Sequence, residues 1–368
     1  MEDTNTHHHE PPEASQATAK EEPQEKIQTK LEIYNAVIQK IDIKEKHPGL
    51  PFVDVKDNDI YNYLSGIIRD IVENHKGQKF KFNENLTDIP KKLNALLSED
   101  FEKSAGDIAK KLLETENSTQ EQYKGFVELR EGSLLCAHIE ISDERFLLLV
   151  KIDHAGFLHE KTYIKTTGLP EKQRAQKSAT IKILDNNKLD NTLIISDTNA
   201  KITEYWWQDF LDLLPLSSPE NNTLEAFTCL EAFLSKKLKK DHPSDYWTLR
   251  NAVVSYFTTK SNCIFDEMID SIFKEYEPDS EEIDLKKTIK EAKELPKKHN
   301  FDSQFSIVST VIKAKIKRQI RLVENLELRI TGEIKNFKKT LETGIDDGRK
   351  FLKIYSDDGY DAFRKDTE

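Results

Sequence analysis

Apolar residues fall at helical spacing from Asp57 onward. Ile60, Leu64, Ile67, Ile68 and Ile71 recur every three or four positions, which buries one face of a helix. Asp57 or Asp59 stands where a cap is needed. Upstream, LEIYNAVIQKIDI spaces Leu31, Ile33, Val37, Ile38, Ile41 and Ile43 so that a strand and a short helix both remain open. The segment HPGLPF, with Pro48 and Pro51, breaks that element. Two more helices are predicted, over Ile89 to Leu97 and Phe101 to Glu114, the second with Ile108, Leu112 and Leu113 inward. The polar run ENSTQEQ is expected to end this layer.

A strand block follows. GFVELREGSLLCAHIEISDERFLLLVKIDHAGFLHE holds three extended runs, Gly125 to Glu131, Ser133 to Ile141 and Arg145 to Asp153. The short separators, Gly132 and Ser142-Asp143-Glu144, fit an antiparallel meander. FLLLVKI is apolar at consecutive positions, the mark of a central strand covered on both faces. ATIKILDN and NTLIISDT add strands around Ile181 and Ile194. After Thr203, EYWWQDFLDLLPL gathers Trp206, Trp207, Phe210, Leu211 and Leu214 in one turn-rich stretch. Helices are then predicted over Thr223 to Lys239, Tyr246 to Thr258 and Asn262 to Tyr276. The charged stretch DSEEIDLKKTIKEAKELPKKH separates them from a basic, strand-like end. The class is α+β: an antiparallel sheet with flanking helices, a helical middle region and a C-terminal β-hairpin. Four regions are expected: an acidic disordered tail over 1–27, an α+β domain with the meander over 28–200, a helical region over 201–300, and a basic β-rich segment over 301–368.

Charge singles out that last segment. The 368-residue chain carries a net charge of -11, which argues against coating DNA by bulk charge. Yet Phe305 to Tyr355 holds twelve basic and six acidic residues. Such a local positive focus is where a polyanion is met. If 312–317 is extended, Lys313, Lys315 and Lys317 share a face and Ile312, Ala314 and Ile316 turn to a core; if it is helical, the lysines scatter. The candidate nucleic-acid contacts are Lys313, Lys315, Lys317, Arg318, Arg321, Arg329, Lys338, Lys339, Arg349 and Lys350. A solvated strand face guarded by lysines is the plain alternative.

Other features invite weaker readings. Tyr205, Trp206 and Trp207 are able to stack on bases but equally suit a core. Lys236, Lys237, Lys239 and Lys240 close a helix, where cations favour the dipole. The acids Glu140, Asp143 and Glu144 before Lys151 loosely resemble a metal-dependent nuclease, although Val150 stands before the lysine and the acid two residues ahead is missing. Cys136, Cys229 and Cys263 lie far apart and form no zinc spacing; they fit a reducing compartment. His7, His8 and His9 read as part of a polar tail. No phosphate-loop, dinucleotide, nucleophile-elbow or zincin motif is present, so neither a cofactor nor a metal is expected. No apolar run is long enough to cross a bilayer, and no secretory leader is apparent.

Two stretches carry a family resemblance. The meander GFVELREGSLLCAHIEISDERFLLLVKI resembles the strands of the bacterial nucleoid-associated proteins of the NdpA type. NLELRITGE (Asn325 to Glu333) followed by DDGRKFLKIYSDD (Asp346 to Asp358) is similar to that family's closing hairpin, and EYWWQDFLDLLPL occupies the place of its intervening segment. The resemblance implies cytoplasmic, nucleoid-located association with DNA and no catalytic residues. The expectation is a DNA-binding protein with little sequence preference, a partner of double- or single-stranded DNA, open to forming a homodimer and to serving antiviral defence. A nuclease and a protein-interaction scaffold are the rival classes.

Overall fold

A computed structural model describes residues 30–364 apart from 53, 55–56, 75, 84–87, 99, 126–128, 159, 171–175 and 275. The expected tail over 1–27 lies outside the described residues. The first body contains β1 (Leu31–Ile41), α1 (Asn58–Asn74), β2 (Gln78–Phe82), α2 (Ile89–Ser98), α3 (Phe101–Gln122), β3 (Gly132–Ile141), β4 (Glu144–Asp153), β5 (Ala155–Leu158), β6 (Lys165–Gly168), β7 (Lys177–Ile183), β8 (Leu189–Asp197) and β9 (Leu213–Pro215). Seven of these strands form one antiparallel sheet in the order β1-β3-β4-β7-β8-β2-β9. β5 and β6 pair only with each other, as a separate hairpin.

Side-chain parity distributes the apolar residues over both faces. Leu148, Val150 and Ile152 of β4 pack with Leu64, Ile68 and Val72 of α1. Leu147 and Leu149 point the other way, into a core with Ile108 and Leu112 of α3 and Leu93 of α2. β4 is therefore central and covered on both sides, as its unbroken apolar run predicts. The turn into it is tight because Ser142 and Asp143 both take positive φ, 53° and 62°, the backbone of a two-residue hairpin loop.

Three local expectations change. LEIYNAVIQKI is a strand, paired along β3 from Leu31↔Ile141 to Ile41↔Gly132. The polar run after Glu114 stays helical to Gln122. There Thr115, Ser118 and Thr119 hydroxyls bond to carbonyls four residues back, and Glu116 turns inward. The strand predicted over Gly125 to Glu131 is not formed at Gly125, which lies in a turn, nor at 129–131; residues 126–128 lie outside the described residues.

The second body begins with α4 (Pro219–Leu238), α5 (Pro243–Thr259), β10 (Asn262–Ile264), α6 (Phe265–Phe273), α7 (Leu285–Lys293), α8 (Leu295–His299) and β11 (Gln304–Ser306). The helix expected from Asn262 starts three residues later, because Asn262 to Ile264 pair with β11. Its core joins Phe227, Leu230, Val253, Phe257 and Phe265 with Phe305, Ile312 and Ile316. The charged stretch also folds: Asp284 caps α7 by accepting from Lys287 N–H at 2.9 Å.

One strip of chain locks the two bodies together. Gly77 N–H donates to Ser303 Oγ at 2.8 Å, and the amides of Ser303 and Gln304 both donate to the Gly77 carbonyl. Lys79 N–H donates to Asp302, which also accepts from Asn222 Nδ2 at 2.8 Å. Gln304 Nε2 donates to the carbonyls of Asp197 and Asn199, and its Oε1 accepts from Asp197 N–H.

The chain closes with α9 (Lys313–Ile316), β12 (Arg318–Val323), β13 (Leu326–Ile330), α10 (Phe337–Thr340), β14 (Leu341–Asp346), β15 (Arg349–Ile354) and α11 (Asp357–Phe363). β12 pairs with β13 and β14 with β15, so the end carries two consecutive hairpins. In the second, Asp347 and Gly348 both have positive φ, 43° and 78°, the Asp-Gly loop that this backbone favours.

Candidate nucleic-acid interface

Both hairpins stand out from the second body, and β15 is exposed at every position. Their base is fixed by α4 and α5. Arg250 on α5 donates to Glu231 on α4 at 2.7 Å and to the carbonyls of Lys315 and Ile316 at 3.1 and 3.0 Å. Arg318, the first residue of β12, pairs with the same Glu231. Between the hairpins, Asn251 clasps Ile334 through both backbone groups, at 3.0 and 2.8 Å. Lys338 pairs with Asp279 at 2.6 Å; that bond, with a second from Ser244, holds the Asp279 carboxyl below its ordinary range.

The ten candidate residues do not form one patch of equal members. Lys313 and Lys315 lie in the helical turn α9, so the three-lysine strand face is not built. The reason is packing: Ile312 and Ile316, four apart, both enter the second core, a spacing a helix satisfies. Ala314 is exposed. Arg318 and Lys338 are engaged as described. Lys313, Lys315, Lys317, Arg321, Arg329, Lys339, Arg349 and Lys350 form no ion pair with any described residue.

Register fixes which of these share a face. Gln319 opposes Arg329 and Arg321 opposes Glu327, so both arginines project from the polar side of the first hairpin. Ile320, Leu328 and Ile330 take the other side, with Ile330 buried. On the second hairpin Lys350 shares a face with Ile345, Leu352 and Ile354, while Arg349 lies with Glu342, Phe351 and Lys353. Lys353 is occupied: it sits 3.7 Å from Glu342 and over the Tyr355 ring, and Tyr355 donates to Glu342 at 2.6 Å.

Several other sequence candidates have structural employment. Tyr205 and Trp206 are buried, in a π-helical turn over Tyr205–Phe210 where Trp206 packs on Phe210 at 5.0 Å. Lys237 pairs with Glu291 at 2.6 Å. Glu140 accepts from Tyr34 at 2.7 Å and Glu144 pairs with Lys182. Glu144 and Lys151 stand at opposite ends of β4, about 23 Å apart at strand rise, and Lys151 pairs instead with Glu116. Among the described residues no group of three or more His, Cys, Asp or Glu side chains is placed to hold a metal ion. No helix among them is long and apolar enough to cross a membrane.

A family model described as nucleoid-associated protein YejK matches residues 37–346. The chain belongs to that family. The match runs from within β1 to the last residue of β14, so family membership takes in both bodies, the strip that joins them and the first hairpin. No curated protein matches the chain in sequence.

Residues that sequence reasoning missed are the anchors, Arg250, Glu231 and Asn251. Each sits in a helix whose pattern gives no sign that it reaches 65 to 87 residues ahead.

Proposed function

We propose that the protein binds DNA in the cytoplasm, at the nucleoid, through its C-terminal hairpins and with little sequence preference. The observation behind this reading is the set of eight exposed or half-exposed cations at the base and on the strands of those hairpins that form no ion pair with a described carboxylate, on a chain of the nucleoid-associated family. Free cations exchange condensed counterions for phosphate contacts, while an engaged one gives up a pairing first. The acidic remainder of the chain disfavours unspecific wrapping and directs the hairpins to the duplex. In this division of labour residues 28–200 and 201–300 form the body and 301–368 the DNA-contacting part, with 1–27 appended.

Self-association belongs to the same reading. A two-stranded hairpin alone is marginal in water, and the β14–β15 face with Ile345, Leu352 and Ile354 is exposed. A homodimer doubles the number of cations offered to one duplex.

The test is a salt titration of binding to duplex and single-stranded DNA, with magnesium present so that cleavage is seen. Affinity should fall steeply with salt, with a slope of about -0.9 per phosphate contact. Charge reversal at Lys313, Lys315, Lys317 and Arg321 should abolish retardation. Unchanged retardation favours the scaffold reading, and strand scission favours the nuclease.

A further inference from the structure

A polar cavity in the first body has no part in DNA binding as proposed above. It has a volume of about 260 Å³, and its lining includes Glu116, Arg130, Lys151, Asp153, Lys177 and Tyr205. At its floor Lys151 Nζ donates to both Glu116 oxygens, at 2.7 and 2.9 Å, with side-chain exposures of 2% and 1%. Tyr205 Oη donates to the same carboxylate at 3.3 Å. Burying such a pair costs several kcal/mol per ion before its attraction is counted, and strongly perturbed buried groups beside a cleft mark functional sites. Burial is the main cause holding the Glu116 carboxyl above its ordinary range, against the nearby Lys151 charge.

The charges of this cavity divide into compensated and uncompensated ones. Lys151 is matched by Glu116, and Lys177 lies 3.6 Å from Asp197. Arg130 and Asp153 form no ion pair with any described residue. Among the described residues the cavity thus offers one cation and one anion without an ion-pair partner. An anionic ligand alone faces Asp153; a cationic ligand alone faces Arg130. A ligand with both charges satisfies the two at once.

Size and surroundings narrow the class. The cavity is smaller than the roughly 300–1,000 Å³ pockets that take drug-sized molecules. Leu129 and Tyr205 also line a neighbouring cleft of about 510 Å³, which Tyr123 and Ile202 make partly apolar. We propose that this cavity binds a free α-amino acid with an apolar side chain. Its carboxylate meets Arg130, its ammonium meets Asp153, and its side chain runs toward Leu129 and Ile202.

The test uses the full chain and saturation-transfer NMR with L-leucine and L-phenylalanine at millimolar concentration. Binding of either is expected. N-acetyl-L-leucine lacks the cation and L-leucinamide lacks the carboxylate; both should bind at least about tenfold more weakly, as loss of one charged hydrogen bond implies. Arg130→Gln and Asp153→Asn should produce the same loss. The proposal is overturned if neither amino acid binds, if the blocked analogues bind as well as L-leucine, or if both variants bind like the parent. Preferential binding of deoxyadenosine monophosphate also overturns it. The analogue comparison needs no variant and stands even if a substitution unfolds the chain.

Discussion

Arg250 donates to Glu231 across 2.7 Å between α5 and α4, with 3% and 12% of the two side chains exposed. Through Nη2 Arg250 also holds the carbonyls of Lys315 and Ile316, just ahead of β12. The orientation of the basic hairpins therefore depends on a buried pair outside them. Removing Arg250 leaves Glu231 with Arg318 alone and takes the donor from two backbone carbonyls. Arg250→Ala should lower stability by about 3 kcal/mol in urea unfolding. Arg250→Lys should fail to restore it, since an ammonium lacks the planar fork that reaches three acceptors. A parental urea midpoint for either variant refutes the anchoring role.

The hairpin cations should behave unequally. Arg321→Gln and Arg329→Gln should each flatten the salt dependence of DNA binding by about one unit. Lys353→Gln should leave that slope unchanged, because Lys353 is occupied by Glu342 and the Tyr355 ring. Equal slopes for all three variants would show that pairing within the hairpin is irrelevant.

Two glycines provide a matched stability test. Gly77 has φ of 139°, and a Cβ there would stand 2.4 Å from the Ile195 carbonyl oxygen. Gly77→Ala should cost about 3 kcal/mol or more from strain and disruption of the Ser303 and Gln304 bonds. Gly66, on an exposed position of α1, has nothing within 4 Å of an added Cβ. Gly66→Ala should stabilise by about 0.5–1 kcal/mol through helix propensity. Thermal midpoints moving in the same direction contradict this account.

Asp302 predicts a pH signature. Burial pushes its carboxyl above the ordinary 3.8, although Asn222 and the Lys79 amide oppose the shift. A raised acid binds its proton more tightly in the folded state. Its contribution to stability is complete below pH 3.8 and is lost as pH rises through the folded value. Asp302→Asn should remove this fall, so that stability declines less, or rises more, as pH climbs above 3.8. Urea midpoints measured across that range decide it; an unaltered slope assigns the dependence to other groups.

How much of this was legible beforehand varies with sequence distance. β4 could be read because an unbroken apolar run has few homes other than a doubly covered strand. The α+β class followed from the switch between alternating and helical periods. The helical continuation past Glu114 was not legible, because its hydroxyls find acceptors inside the helix and its Glu116 is held by Lys151, 35 residues away. The helical turn at Lys313 was ambiguous, since alternation of Ile and Lys fits a strand until a core claims residues four apart. Short strands such as β2 and β9, 131 or more residues apart and paired with each other, have no local signature at all. Of the candidate contacts, the sequence located the cations and could not see which carboxylates engage Arg318 and Lys338. No residue described above bears on antiviral defence.

The grip of Gln304 on Asp197 and Asn199, together with the Ser303 bonds to Gly77, has a consequence for biosynthesis. Vectorial synthesis delivers every strand of the large sheet long before residue 304 leaves the ribosome. Until then the backbone around Gly77 waits with polar groups open to solvent, so the nascent amino-terminal half should be the stage most in need of chaperone protection.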